Sequence, residues 1–457
     1  MNFLYIVYMI SVFLSPNLYY LLTGSPDKFI GLSEIMMPLL CFVNFLYIVI
    51  IKTRGNPYKA FFEPPAKTIL ILLCILYGIG LLGLIATPWY DSKTFTFLLK
   101  YSLNIFLFLQ LAYLLSYKFI VIGKKFFLIK LFRVLMVITL LIISINLVEI
   151  FYPSVIHNIF AYKYTTEAHE RFGINRLCGS IASPNTNAII VYFFGGYILS
   201  LLFRPAKTFS KSILIILLLG LSVILILTGS RGGLLAFLAQ IVLFCYLTIK
   251  RFRPEWRLQV KLLLLLFIFS VPVVFKISER LQTNLLENLY EVGFTHGLYQ
   301  REITSIFGGV ADYIPPATLE RFYFVLKGVS GYWSLPLYQK IFGIGLNASG
   351  NILANITGLE LSSVHNSFVE YLLLTGIVGF IVFITLTWKV FTYIKERHFY
   401  TDIGTILYFF FVGVFVHSFF ESNFMFNFKS MQIFLFFFSL YIAERNIIYF
   451  RDRLKLR

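Results

Sequence analysis

The chain has 457 residues, 59% of them hydrophobic and 13% charged, with a formal net charge of +18 and a mean hydropathy of +0.82. Such a composition excludes an ordinary soluble domain and points to an all-α, polytopic integral membrane protein. The four cysteines, Cys41, Cys74, Cys178 and Cys245, form no C-x-x-C pair, so neither a metal site nor a redox site is suggested.

A helix needs about 20 apolar residues to cross the hydrocarbon core. Twelve runs approach that length, at 3–22, 33–51, 68–86, 96–116, 131–150, 186–203, 211–228, 232–249, 260–275, 367–388, 402–420 and 430–449. About twelve transmembrane helices are therefore expected, with residues 1–457 forming one transmembrane domain. No small-residue cleavage site follows the first run, which predicts a retained helix rather than a removed signal peptide.

Lysine and arginine set the orientation, because short basic loops stay cytoplasmic. Lys52, Arg54, Lys59 and Lys67 fill the second loop, and Lys118, Lys124, Lys125, Lys130 and Arg133 the fourth. Arg204, Lys207 and Lys211 fill the sixth, Lys250, Arg251, Arg253, Arg257 and Lys261 the eighth, and Lys389, Lys395 and Arg397 the tenth. The C-terminal tail adds Arg445, Arg451, Arg453, Lys455 and Arg457. Both termini are thus expected in the cytoplasm. Topology and an anionic inner leaflet account for most of the positive charge, and nucleic acid is not needed as a partner.

Two odd-numbered, outward loops are long, at 151–185 and 276–366. Long ordered loops usually carry function. The second is near neutral and rich in aromatic residues, as in "RFYFVLKGVSGYWSLPLYQKIFGIG". It is expected to be a folded, partly helical segment of two or more helices, lying on or slightly within the outer face.

The conspicuous polar residues share that face. Arg176 and Asn185 precede the sixth run in "RLCGSIASPNTNA", and Arg231 lies in the tight turn "LTGSRGGLLAF" between the seventh and eighth. Arg321 sits in the long loop, and His365 opens "HNSFVEYLLLTGIVGF". Taken singly, Arg176 could anchor a helix end, Asn185 after Pro184 could be a cap, and Arg321 beside Glu320 could be a paired loop charge. His365 could be a helix-start residue. Only Arg231 resists such a reading, because a basic residue in a very short outer turn opposes the positive-inside bias. Its flanking Gly229, Gly232 and Gly233 would let backbone approach a ligand closely. Together, three guanidinium groups and an imidazole at the outer ends of helices can surround a lipid diphosphate. Arginine's planar fork pairs phosphate oxygens bidentately, and histidine can take a proton from a hydroxyl near neutral pH.

Four motifs, "TGSRGG", "GIGLNASGN", R-x-x-G-x-x-x-x-P-N from Arg176 to Asn185, and H-N-x9-G-x-x-G through His365, Asn366, Gly376 and Gly379, resemble those of the O-antigen ligase and O-antigen polymerase family of bacterial envelope glycosyltransferases. The resemblance is strongest from Arg176 to Gly379. It implies a metal-independent, inverting membrane glycosyltransferase without a cofactor. The donor would be an undecaprenyl-diphosphate-linked glycan, handled on the periplasmic face of the bacterial inner membrane. Arg176, Arg231 and Arg321 would bind the diphosphate and stabilise its departure. His365 would orient or deprotonate the acceptor hydroxyl, with Asn366 in support. Glu370, about one turn on, would either hold the histidine or pair a loop arginine.

The acceptor is either a second lipid-linked glycan, giving a polymerase, or lipid A core, giving a ligase. Two substantial outer loops that could seat two lipid-linked chains favour the polymerase. A chain-length regulator is a candidate partner besides the bilayer. A lipid-linked oligosaccharide flippase is the rival of another class, but it should carry ionisable residues near the midplane of several helices. Only Lys100 and Glu149 are candidates for that.

Overall fold

The computed structural model describes residues 2–16, 18–23, 31–53, 64–85, 92–121, 124–160, 177–180, 184–203, 209–251, 300–308, 316–345, 355–358, 364–397, 401–421 and 428–455. The long elements of these residues are all helices. They are α1 (Asn2–Phe13), α2 (Leu18–Thr23), α3 (Leu32–Thr53), α4 (Pro64–Ile85), α5 (Ser92–Val121), α6 (Lys124–Phe151), α7 (Pro153–Phe160) and α8 (Pro184–Phe203). After these come α9 (Lys211–Leu227), α10 (Arg231–Arg251), α11 (Gln300–Phe307), α12 (Pro316–Ser334), α13 (Leu337–Phe342), α14 (Ser367–Arg397), α15 (Asp402–His417) and α16 (Phe428–Lys455).

Eight of them, α3, α4, α5, α6, α8, α10, α14 and α16, are long and apolar enough to cross a membrane, and α1, α9 and α15 are shorter apolar helices. The chain is therefore a polytopic helical membrane protein, with eight such spans and three shorter apolar helices among the described residues, against the twelve runs expected. The expected run at 260–275 lies outside the described residues. The run at 3–22 is not one helix. It stops at Phe13 and restarts at Leu18, because Pro16 has no amide to donate and its ring opposes the preceding turn.

α8 lies at the centre, with 94% of its apolar span buried against α9, α10, α15 and α16. Apolar side chains gain little by leaving lipid for protein, so buried polar groups matter more to helix association than they would in water. Asn187 of α8 donates to Asn146 of α6 at 2.8 Å, Gln240 of α10 donates to the Phe409 carbonyl of α15 at 3.0 Å, and Asn446 of α16 donates to Ser116 of α5 at 2.9 Å.

α14 is broken inside at Gly376, whose φ of 63° and ψ of −172° are not helical. The break leaves carbonyls unclaimed one turn earlier. Residues just past α13 take them up: Ile344 N donates to Leu373 O at 3.1 Å and Gly345 N to Leu374 O at 2.9 Å. The approach is too close for side chains. A Cβ on Gly343 would lie 2.2 Å from Leu374 O, one on Gly376 2.4 Å from Ile341 O, and one on Gly83 of α4 2.6 Å from Gly345 N. The "GIG" of the late motif thus locks the outer segment to α4 and α14, and Gly376 serves packing.

Gly343→Ala should lower stability by about 2 kcal/mol or more, since it adds a Cβ to a crowded residue at φ +80°. Gly78→Ala, with nothing within 4 Å, should be neutral. Thermal midpoints of the two variants in detergent check the contrast.

Candidate functional site

The start of α14 is tied down residue by residue. Asn366 Oδ1 accepts the amides of Phe368 and Val369, both at 3.1 Å, the pattern of an N-cap, and its Nδ2 donates to Phe419 O at 3.0 Å. Ser367 N donates to Ser418 O at 3.0 Å, and Ser367 Oγ donates to Glu421 O at 2.9 Å. Glu370 accepts the Val364 amide at 3.0 Å, so it fixes the backbone one residue ahead of His365. These bonds on both sides hold His365 at φ +53°, a conformation that costs a non-glycine residue on the order of 1 kcal/mol or more.

The acid at the His365 ring is Glu421, in the turn that follows α15. His365 Nδ1 lies 3.0 Å from Glu421 Oε2. Arg321 Nη2 of α12 donates to Glu421 Oε1 at 2.9 Å, and Asn185 Nδ2 of α8 donates to the same oxygen at 2.8 Å. The Glu421 side chain is only 13% exposed. Burial raises its carboxyl, but the hydrogen bond from His365 and the charge of Arg321 outweigh that and hold it at about 2, below the ordinary 4.5. An ionised Glu421 accepts from Nδ1–H and leaves Nε2 as the basic ring nitrogen. Phe324 of α12 covers the imidazole from one face, with centroids 5.9 Å apart and planes 29° apart.

Asn185, Arg321 and His365, singled out in the sequence, therefore meet on one carboxylate. The turn that carries Arg231 packs against the end of α15 ahead of Glu421. Arg231 opens α10, is exposed, and makes no hydrogen bond or ion pair with the described residues. Its neighbour Gly232 packs against His417 and Phe420, where a Cβ would lie 2.5 Å and 3.0 Å from side-chain atoms, and Gly233 meets Ala188 at 2.7 Å. Those two glycines are filled by protein rather than left open for a ligand, while Gly229 makes the turn at φ +61°. Ser230 Oγ caps α10 through the Gly233 amide at 3.2 Å.

Arg176 lies outside the described residues, but the turn after it does not. Leu177 N donates to Leu227 O at 3.4 Å, one residue before Thr228 and the Arg231 turn. Glu149 at the end of α6 accepts the amides of Cys178 at 2.8 Å and Gly179 at 2.7 Å. Lys100 pairs Glu34 at 2.8 Å. The two charges that a transporter would need near the midplane thus have local partners.

Glu421 does not stand out in the sequence, because it belongs to none of the four motifs and has no cation beside it in the chain. Its signal was a lone acid in "HSFFESNF", between the eleventh and twelfth apolar runs and so on the same face by alternation.

Residues 213–384 match the O-antigen ligase family. The match covers less than half of the chain and makes that stretch similar to the family the motifs resemble. It takes in the Arg231 turn, Arg321 and His365. Asn185 and Glu421 fall outside the matched stretch, and Glu421 contacts Arg321 and His365 within it. No curated protein matches the chain.

Because Glu421 has a depressed pKa, its stabilisation is fully present above about 4.5 and is lost as the pH falls from there through about 2. Glu421→Gln should cost on the order of 2 kcal/mol at neutral pH. The gap in thermal midpoint between wild type and variant should shrink as the pH is lowered toward 3, which melting curves at several pH values check.

Proposed function

We propose that this chain transfers a glycan from an undecaprenyl-diphosphate donor to a sugar hydroxyl, with Arg231 and Arg321 on the diphosphate and His365 on the acceptor. One observation carries the proposal: Arg321, Asn185 and His365, from three distant parts of the chain, converge on the largely buried Glu421 at one end of the helix bundle. Arg176, on the strength of its motif, is the third diphosphate ligand.

In this mechanism the acceptor oxygen attacks the anomeric carbon from the face opposite the leaving group. The bond from that carbon to the diphosphate oxygen breaks, and its electron pair departs with undecaprenyl diphosphate. The acceptor proton goes to His365 Nε2, and Glu421 stabilises the imidazolium that forms. Arginines fixed in place stabilise the charge on the leaving diphosphate better than water could. The anomeric configuration inverts, and no metal ion takes part.

The site is assigned to the periplasmic face of the inner membrane, on the distribution of basic loops. The two long outer segments, 151–185 and 276–366, favour a second lipid-linked glycan as acceptor, which makes the enzyme a polymerase. Transfer to lipid A core, the work of a ligase, is the alternative that shares the same donor chemistry.

A strain lacking the gene should place a single repeat unit on lipid A core. Bare core, with long chains still on undecaprenyl diphosphate, would make the enzyme a ligase, and an unchanged ladder would defeat transferase activity altogether. Complementation with His365→Ala should cut product about 10²–10⁴-fold, the usual contribution of acid–base catalysis. Arg231→Ala should cut it about 10²–10³-fold. Both variants should insert at wild-type levels.

A further inference from the structure

α12 and α13 form a hairpin with two contrasting faces. The inner face packs toward α14. Phe324 covers His365, a Cβ on Gly328 would lie 2.6 Å and 2.7 Å from Val364 and Val369 side chains, and Gly331 sits against Ile356. The outer face carries Phe322, Leu326 and Trp333, at spacings of four and seven that fall on one stripe of α12, and Leu337 and Tyr338, which open α13 beyond the bend at Leu335 and Pro336. These five residues are 53%, 46%, 67%, 74% and 44% exposed. Away from this stripe, Lys327 pairs Glu302 of α11 at 2.9 Å.

The depth of the hairpin follows from its neighbours. The apolar span of α4 runs from Pro64 to Leu84, 21 residues, or about 31 Å at 1.5 Å per residue, which matches a hydrocarbon core of about 30 Å. Leu82 to Leu84 therefore mark the edge of the core. Tyr338 Oη donates to Leu82 O at 3.3 Å, and Gly345 packs against Leu84. Beside this point the lipid-facing surface continues through Leu82 of α4 and Ile377, Val378 and Ile381 of α14, all exposed.

We propose that the α12–α13 hairpin is a membrane anchor, its stripe of Phe322, Leu326, Trp333, Leu337 and Tyr338 seated against lipid acyl chains at the boundary of the leaflet on the His365 side. Its partner is bulk lipid. The stripe is continuous with the lipid-facing sides of α4 and α14, and tryptophan and tyrosine are the residues that favour this depth. An anchored hairpin keeps Arg321 and Phe324 level with His365 at the membrane surface. This inference rests on the spanning helices alone and stands whatever reaction the site performs.

The test uses the full chain in phosphatidylcholine vesicles, taking the fluorescence of wild type minus that of Trp333→Phe to isolate one of the four tryptophans. Lipid brominated at carbons 6 and 7 should quench at least half of the difference signal, and aqueous iodide should quench little of it. Quenching by iodide and not by bromolipid would put the stripe in water and overturn the proposal. Resistance to both would mean that protein, such as a second copy, covers the stripe, and would overturn it equally. Should Trp333→Phe fail to insert, Leu337→Trp in the wild-type chain adds a signal that must show the same pattern.

Discussion

A buried carboxylate must be matched by donors, or it costs far more than the fold can spare. Glu421 meets that condition with an arginine, an asparagine and a histidine drawn from α12, α8 and the start of α14. Each donor is anchored by its own helix, so one charge brings three parts of the bundle into register. The same contact fixes the His365 ring by its Nδ1. A group that serves the fold by neutralising positive charge thereby also sets which nitrogen of the imidazole is basic.

The surroundings make that geometry rigid. Asn366, Ser367 and Glu370 bind backbone on either side of His365, and α14 is in turn locked at Gly376 to the chain beyond α13. The Arg231 turn is seated on α15 and α8 through Gly232 and Gly233, while Glu149 and Leu227 secure the turn that follows Arg176. Non-helical backbone at the end of a membrane bundle needs such donors and acceptors, because lipid supplies none.

The apolar runs were legible in the sequence because a span needs about 20 consecutive apolar residues, a pattern little affected by tertiary contacts. The break at Pro16 was also readable as chemistry, but hydropathy alone passed over it. At the site, Arg231, Asn185, Arg321 and His365 stood out as polar groups in apolar surroundings. Glu421 did not, since its 56-residue separation from His365 and 100-residue separation from Arg321 hide the pairing until the chain is folded. Glu370 looked like a partner for the histidine ring because it lies on the same helix, but its carboxylate turns back to the Val364 amide. Gly232 and Gly233 announced a close approach correctly, while the partner proved to be protein rather than ligand.

The most direct measurement is release of free undecaprenyl diphosphate by the purified protein in vesicles, given an undecaprenyl-diphosphate-linked glycan, an acceptor glycan and a metal chelator. The account predicts release matched one for one by new glycosidic bonds in the wild type, and release reduced at least about a hundredfold in Glu421→Ala, the variant that removes the carboxylate holding His365. Wild-type rates in that variant, or no release by the wild type at all, would contradict it.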